Sequence, residues 1–112
     1  MKYITKYKSP NYNSRSKSKI KLIIIHYTAL RNTKEAITYL CTKEKKVSAH
    51  YLISQNGLIY NLVNEKFRAW HAGQSFWQDI VDINSFSIGI ELDYNPNGKN
   101  NKFSSKMISS LK

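Results

Sequence analysis

Cysteine, acidic residues and long apolar runs are all scarce in this chain of 112 residues. The single cysteine, Cys41, excludes an intrachain disulfide framework and a cysteine-rich zinc site. No apolar run approaches the roughly 18 residues that a membrane-spanning helix needs. The basic N-terminus lacks the apolar stretch of a secretory signal, so we expect a cytoplasmic protein with no membrane partner.

The shortage of acidic residues leaves 18 basic side chains against 7 acidic ones, a net charge of +11. A field of this sign favours polyanionic partners such as nucleic acid, anionic lipid or cell-wall polymer. Residues 1–20 carry many of these cations and no acid, and we interpret them as a solvated, partly mobile basic arm. Binding to nucleic acid would also require base-stacking aromatic residues in a basic groove.

The rest of the chain has the composition of one soluble globular domain, at 41% hydrophobic and 22% charged residues. Residues 21–27 form a continuous apolar run rich in β-branched residues, which predicts a strand buried on both faces. Asn32 followed three residues later by Glu35 has the spacing of a capping box. This spacing predicts a helix over residues 33–44, with Cys41 on its apolar side.

The second half of the chain contains further strand signals. Asn56-Gly57 stands between two β-rich runs and predicts a hairpin. Residues 64–84 are irregular but crowded with aromatic residues, which predicts an ordered loop packed on the sheet. Residues 86–93 read as the last strand and residues 104–112 as a helix. This order predicts an α/β domain with a mixed central sheet flanked by helices.

Three side chains are candidates for chemistry. His26 closes a buried strand at the edge where α/β sheets build their sites, and both a metal-binding or catalytic role and a structural role remain open. Glu91 interrupts an apolar strand on the same face as Ser87 and Gly89, and the glycine leaves room for another group. Glu91 is therefore either a solvated residue or a general base in a cleft. His71 lies in a small-residue turn, where a packed loop histidine is as good an interpretation as a functional one.

Five motifs follow one another in a fixed order: IIIHY at 23–27, VSAHYLI at 47–53, NG at 56–57, RAWHAG at 68–73 and FSIGIEL at 86–92. In this the chain resembles the zinc-dependent N-acetylmuramoyl-L-alanine amidases, in particular their cytosolic muropeptide-recycling branch. Phage lysozyme-type amidases and peptidoglycan-recognition proteins are relatives of that family. The resemblance implies cleavage of the amide between N-acetylmuramic acid and L-alanine in peptidoglycan fragments.

The resemblance also implies roles for individual residues. His26 matches the first of the zinc ligands, which in the family are two histidines and an aspartate or cysteine. Glu91 matches the catalytic acid/base. Arg68 and His71 match the loop that borders the substrate groove, which implies that they contact substrate or maintain the structure of that loop. His50 matches a position beside the cleft that is not a ligand. The aromatic residues fall at motif positions of the family, so we do not expect nucleic acid as a partner.

One departure from the family pattern matters for zinc. In the family, the second histidine and the aspartate or cysteine ligand lie after the last predicted helix, and this sequence has no histidine beyond His71. We therefore expect residues 21–112 to be the N-terminal portion of an amidase domain that is truncated at its C-terminus. A missing C-terminal segment or a companion chain would complete the zinc site. The alternative is a module that binds peptidoglycan without catalysis.

Overall fold

The fold is described by a computed structural model for residues 3–15, 19–73, 76–77 and 80–112. The strands, in chain order, are β1 (Tyr3–Ile4), β2 (Tyr12–Ser14), β3 (Leu22–Tyr27), β4 (Tyr51–Ile53), β5 (Ile59–Asn61), β6 (Phe67–Ala69), β7 (Phe76–Trp77), β8 (Ile80–Val81) and β9 (Ser87–Leu92). The helices are α1 (Thr33–Leu40) and α2 (Ser105–Leu111), with short 3₁₀ helices at Lys43–Lys45 and Ile83–Phe86.

Five of these strands form the central sheet of the described chain, in the order β1-β5-β4-β9-β3. β9 pairs in parallel with β3 on one side and with β4 on the other. β4 and β5 are antiparallel, and β1 adds in parallel to β5. The sheet is therefore mixed, which confirms the predicted fold class.

The two helices cover opposite faces of this sheet. Ala36 and Leu40 of α1 pack against Leu52 and Leu62 on one face. On the other face, Met107 of α2 is fully buried and packs with residues of three strands, namely Ile53, Ile59 and Leu92. An apolar core thus lies on each side of the sheet, which gives the α/β layering that the order of elements predicts.

Local signals in the sequence explain two of these elements. Asn32 caps α1, since its side chain accepts a hydrogen bond from the backbone N–H of Glu35. The helix ends at Leu40, four residues before the predicted end, and Cys41 is its C-cap and packs at the edge of the core. The predicted hairpin is confirmed, because β4 and β5 flank the Asn56-Gly57 turn and Gly57 has a φ of 83° that favours glycine.

The prediction that residues 21–27 form a strand buried on both faces is half wrong. β3 is a strand, but its side chains alternate between half-buried and exposed. Ile23, Ile25 and Tyr27 are 65%, 51% and 54% exposed. The physical reason is position: β3 is an edge strand of the described sheet, while α2 packs over the inner strands.

The N-terminal segment differs from the solvated arm that its charge suggested. β1 joins the central sheet, and β2 pairs with β6 in a second, two-stranded sheet. Ser9 donates a hydrogen bond to the carbonyl of Leu40, and the Asn11 side chain donates to the carbonyls of Thr42 and Val47. Residues 3–15 are therefore packed on the domain, whereas Lys2 and Lys17 of the predicted arm lie outside the described residues.

The segment between β5 and β9 partly follows its prediction. β6 and the 3₁₀ helix Ile83–Phe86 provide order there, and Ala69 is fully buried. The side chains of Phe76 and Trp77, which the crowding of aromatic residues predicted to pack on the sheet, lie outside those that the structure describes. Among the described residues, no helix is long and apolar enough to cross a membrane.

Candidate active site

The candidate residues meet on one face of the β3–β9 pair. In the parallel register His26 lies opposite Glu91, so the two side chains project from the same face of the sheet. Ser87 and Gly89 share this face, as the alternation along β9 predicted. Unlike a half-exposed strand surface, all three β9 residues of this face are buried.

Glu91 is a buried carboxyl group rather than a solvated one. It is 7% exposed, and its Oε1 atom has no hydrogen-bond partner in the described structure. Burial raises its pKa from 4.5 to about 7, because removal from water disfavours the charged form. A carboxyl group with a pKa near neutrality can both take up and release a proton at physiological pH.

His26 and His71 are in direct contact. The Nε2 atom of His26 lies 3.0 Å from Nδ1 of His71, and the rings meet edge to face. His71 is 7% exposed, and burial together with the charges of His26 and His50 lowers its pKa to about 3. Burial also lowers the pKa of His26. Both rings are therefore neutral at physiological pH, the form in which imidazole binds metal ions.

Gly89 makes room for the His71 ring. A Cβ atom at Gly89 would lie 2.3 Å from Cγ and Cδ2 of His71, far inside van der Waals contact. The prediction that this glycine leaves space for another group is confirmed, and the group is the imidazole of the RAWHAG motif. On its other side, Nε2 of His71 is 2.9 Å from Oγ of Ser87.

His50 is fully buried and uses both of its ring nitrogens inside the protein. Its Nδ1 accepts a hydrogen bond from the N–H of Gly89 at 3.1 Å, so the proton of the neutral ring is on Nε2. Nε2 lies 2.8 Å from the carbonyl of Phe67, to which it donates. Burial lowers the pKa of His50, in keeping with a neutral ring. His50 therefore holds β9 to β6 and has no nitrogen left for a metal.

Arg15 is a buried residue that the sequence analysis assigned to the solvated arm. Its guanidinium donates hydrogen bonds to five backbone carbonyls from two segments, those of Glu65, Phe67, Asn84, Ser85 and Ser87. It also lies 3.0 Å from Nε2 of His50. Arg15 thus ties the N-terminal segment to both chain segments that flank the site.

Arg68 lies in β6, at the start of the RAWHAG segment that continues as a loop, and its side chain is partly exposed. Its Nη2 pairs with Oδ1 of Asp82 at 2.5 Å, and its Nε donates to Oγ of Ser85 at 3.0 Å. The side chain of Asn84 holds the backbone of the loop, since it accepts from the N–H groups of His71 and Ala72 and donates to the carbonyl of Ala72. The loop is therefore fixed relative to β9 by side chains from the 3₁₀ helix.

Three residues of this arrangement were missed by the sequence analysis: Arg15, Asn84 and Ser87. None of them stands in a pattern that separates it from surface polar residues. Ser87 was placed on the correct face by alternation, and this was the one available signal. The partners of all three residues come from chain segments that are brought together by folding.

Comparison with known proteins decides the family. The sequence profile of N-acetylmuramoyl-L-alanine amidases matches residues 16–112, most of the chain. The chain belongs to this family. Its resemblance to amidases, drawn from five motifs, is thereby confirmed.

Individual relatives agree with the family assignment. N-acetylmuramoyl-L-alanine amidase AmiD of Escherichia coli is 42% identical over 82 residues, which cover 67% of this chain and 29% of AmiD. The 1,6-anhydro-N-acetylmuramyl-L-alanine amidase AmpD of Haemophilus influenzae is 52% identical over 50 residues, 45% of this chain and 27% of AmpD. The matched segments thus span less than a third of these relatives.

Solved structures share the fold. A selenomethionine derivative of AmpD superposes with a TM-score of 0.83 at 25% identity and covers 97% of this chain and 69% of that one. A complex of E. coli AmiD with the substrate anhydro-N-acetylmuramic acid-L-Ala-D-γ-Glu-L-Lys has a TM-score of 0.71 at 33% identity. It covers 95% of this chain and 44% of that one. The mixed sheet with its two helices is therefore the fold of this family.

Members of the family are generally zinc-dependent, so the fit of a metal to these residues can be tested. His26 fits as one ligand, because its Nε2 faces His71 and its Nδ1 is the ring nitrogen that remains. His50 and His71 have both nitrogens engaged. The described part of the chain contains no group of three or more metal-binding side chains, whereas a catalytic zinc takes three protein ligands. The described residues therefore supply one ligand and not a complete set.

Proposed function

We propose that this protein is an N-acetylmuramoyl-L-alanine amidase that hydrolyses the amide between N-acetylmuramic acid and L-alanine in peptidoglycan fragments. The observation that carries the proposal is the buried carboxyl of Glu91, with an unpartnered oxygen, beside His26 on one face of the sheet. Membership of the amidase family supports it. The muropeptide bound in the AmiD complex supports peptidoglycan fragments as the substrate class.

Glu91 is the general acid/base in this proposal. Its carboxylate takes a proton from the attacking water as the carbon–oxygen bond forms, and its carboxyl then gives that proton to the leaving amine of L-alanine. A pKa of about 7 suits both halves of this cycle, since neither protonation state is strongly disfavoured at neutral pH. Oε1 is buried and accepts no hydrogen bond from the described protein, which leaves its hydrogen-bonding capacity unused.

The remaining roles follow from the family pattern and the geometry. His26 supplies one zinc ligand, and the others come from a C-terminal segment or a companion chain. When bound, zinc supplies Lewis-acid polarisation of the amide carbonyl. Arg68, the first residue of the RAWHAG motif, contacts the substrate. The cytoplasmic location and the absence of nucleic-acid and membrane partners remain predictions.

The test of this function is release of L-alanyl peptide from anhydro-muropeptide, measured with zinc and with the C-terminal segment or companion chain that completes the ligand set. We expect Glu91→Gln to lower the rate by about 10²–10⁴-fold, since it removes the acid/base but preserves shape. His26→Ala is expected to lower both activity and bound zinc per chain. Glu35→Gln is the matched control, because this carboxylate lies on α1 and pairs only with Arg31 in the described structure.

The outcomes separate the two candidate functions. Unchanged turnover in Glu91→Gln would remove Glu91 from the mechanism. Binding of muropeptide without cleavage, by wild-type protein with zinc and a completed ligand set, would favour the non-catalytic binding module instead.

A further inference from the structure

A continuous row of hydrogen bonds connects the 3₁₀ helix before β9 to His26. Oγ of Ser87 lies 2.8 Å from the carbonyl of Ile83 and 2.9 Å from Nε2 of His71. Nδ1 of His71 in turn lies 3.0 Å from Nε2 of His26. We call these four residues the relay; Ser87 and His71, its two middle members, are buried.

The carbonyl of Ile83 sets the direction of every bond in the relay. A carbonyl oxygen can only accept, so the single proton of the Ser87 hydroxyl is donated to Ile83. The hydroxyl oxygen is then left to accept, and His71 must donate to it from Nε2. In a neutral ring with its proton on Nε2, Nδ1 of His71 carries a lone pair.

The same reasoning extends to His26. Nδ1 of His71 can only accept, so the hydrogen bond at 3.0 Å requires a proton on Nε2 of His26. The other nitrogen of His26, Nδ1, is then unprotonated in the neutral ring. If His26 and His71 had the opposite tautomers, every hydrogen bond would run in the other direction. The Ser87 and Ile83 oxygens would then lie 2.8 Å apart without a proton between them.

The His71 ring is also fixed in place by its surroundings. Its backbone N–H donates to the side chain of Asn84, and the ring lies against the bare Cα of Gly89. The buried ring has both nitrogens bonded within the protein, so a direct contact with substrate would break one link of the relay. This differs from the substrate contact expected of His71 from the resemblance.

We propose that His71 is a positioning residue that holds His26 in the tautomer with its proton on Nε2 and its lone pair on Nδ1. The inference rests on the proposed role of His26 as a zinc ligand, for which only an unprotonated nitrogen is suitable. Metal-binding histidines commonly donate their second N–H to an outer partner that sets tautomer and orientation. Here that partner is another imidazole, whose own tautomer is set by Ser87 and Ile83.

The tautomers of His26 and His71 can be measured directly by NMR in metal-free, substrate-free protein labelled with ¹⁵N-histidine. Long-range ¹H–¹⁵N correlation spectra are expected to show protonated Nε2 and unprotonated Nδ1 for His26 and for His71. The proton on Nε2 of His26 should also show scalar coupling across the hydrogen bond to Nδ1 of His71. Protonated Nδ1 on either ring in the wild-type protein would overturn the proposal.

Two variants test the dependence on the relay. Ser87→Ala removes the acceptor that orders His71, so the ¹⁵N shifts of both rings should move towards values averaged over two tautomers. His71→Asn retains an acceptor oxygen at the position of Nδ1, so His26 should keep its proton on Nε2. Unchanged His26 and His71 shifts in Ser87→Ala would overturn the relay.

Controls separate loss of the relay from general disruption of the fold, and failure of the relay from failure of the proposed amidase function. Ser54→Ala also removes a buried hydroxyl, one that bonds the N–H of Leu58 in the hairpin, and should leave all three histidines unchanged. His50 should keep its proton on Nε2 in every variant, which reports an intact fold. Expected tautomers in a protein that releases no L-alanyl peptide even with zinc and a completed ligand set would contradict the function alone. Amidase activity with reversed tautomers would contradict the relay alone.

Discussion

In the β3–β9 pair, polar side chains are buried on one face while apolar side chains of β3 are exposed on the other. On one face, the polar residues Ser87 and Glu91 are buried, and Ser87 is contacted by His71 of the RAWHAG motif and by Arg15 of the N-terminal segment. On the other face, Ile23 and Ile25 of β3 are more than half exposed. The difference teaches that burial in this domain follows what covers each face rather than the polarity of its side chains. The covered face is where polar groups lose water, shift their pKa values and become useful for chemistry.

The largest effect on stability is expected at Arg15, which ties the N-terminal segment to the chain segments that flank the site. Arg15→Met leaves five buried or partly buried backbone carbonyl groups without their donor, so the free energy of unfolding should fall by about 3 kcal/mol or more. Urea unfolding measures this. Lys8→Met removes an exposed cation from the same segment and should change stability by less than about 0.5 kcal/mol. Equal, small effects of both changes would mean that the N-terminal segment is not anchored through Arg15.

A comparable effect is expected from the pH dependence of stability. The folded pKa of Glu91, about 7, lies above the ordinary value of 4.5, so the folded state holds the proton more tightly. The contribution of Glu91 is therefore fully present below pH 4.5 and is lost as pH rises to about 7, a change of about 3 kcal/mol.

The measurement is the difference in unfolding free energy between wild type and Glu91→Gln across this pH range. The lowered pKa values of the three histidines are common to both proteins and largely cancel in the difference. The glutamine variant should gain relative to wild type as pH rises. A difference that does not vary with pH would show that Glu91 is ionised without penalty in the folded protein.

A smaller effect is expected at the glycine beneath His71. Gly89→Ala places a methyl group 2.3 Å from the imidazole and should cost about 1–3 kcal/mol as the ring is displaced. Gly73→Ala, in the same loop, meets nothing within 4 Å and should be within about 0.5 kcal/mol of wild type. Thermal unfolding compares the two, and an equal cost would contradict the close approach of His71 to β9.

The smallest effect is expected on the exposed apolar face. Ile23 and Ile88 are register partners on this face, one 65% exposed and the other buried. Ile23→Val should be nearly neutral, whereas Ile88→Val should cost about 0.5–1.5 kcal/mol. If Ile23→Val proves as costly as Ile88→Val in dilute solution, then something covers the face of β3 and the comparison of the two faces fails.

The sequence predicted best where the signal was local. The Asn56-Gly57 turn and the Asn32 cap depend on backbone geometry within four residues, and both were found. The face of Glu91 followed from alternation along one strand. By contrast, an apolar run such as residues 22–25 reads the same whether one face or both are covered, so the exposure of Ile23 was not predicted.

What the sequence could not provide were contacts that depend on register between distant strands. Nothing near His26 indicates that it lies opposite Glu91, because the pairing joins segments 65 residues apart. Arg15 is similar: a buried guanidinium satisfied by carbonyls leaves no pattern, since backbone carbonyls are present at every position. Its charge instead suggested solvent exposure, and this interpretation was wrong.

The position of β1 has a consequence for how the molecule folds. β1 and β3 lie at opposite edges of the sheet, so the residues between them cross its full width, roughly 19 Å at the usual strand spacing. The pairing of Tyr3 with Ile59 closes a loop of more than 50 residues, which is entropically costly before the sheet exists. The β4–β5 hairpin can form early and locally, whereas the N-terminal crossing must wait for β4, β5 and β9 to assemble. The face of the β3–β9 pair that carries His26 and Glu91 is thus expected to be the last part of the domain to close during folding.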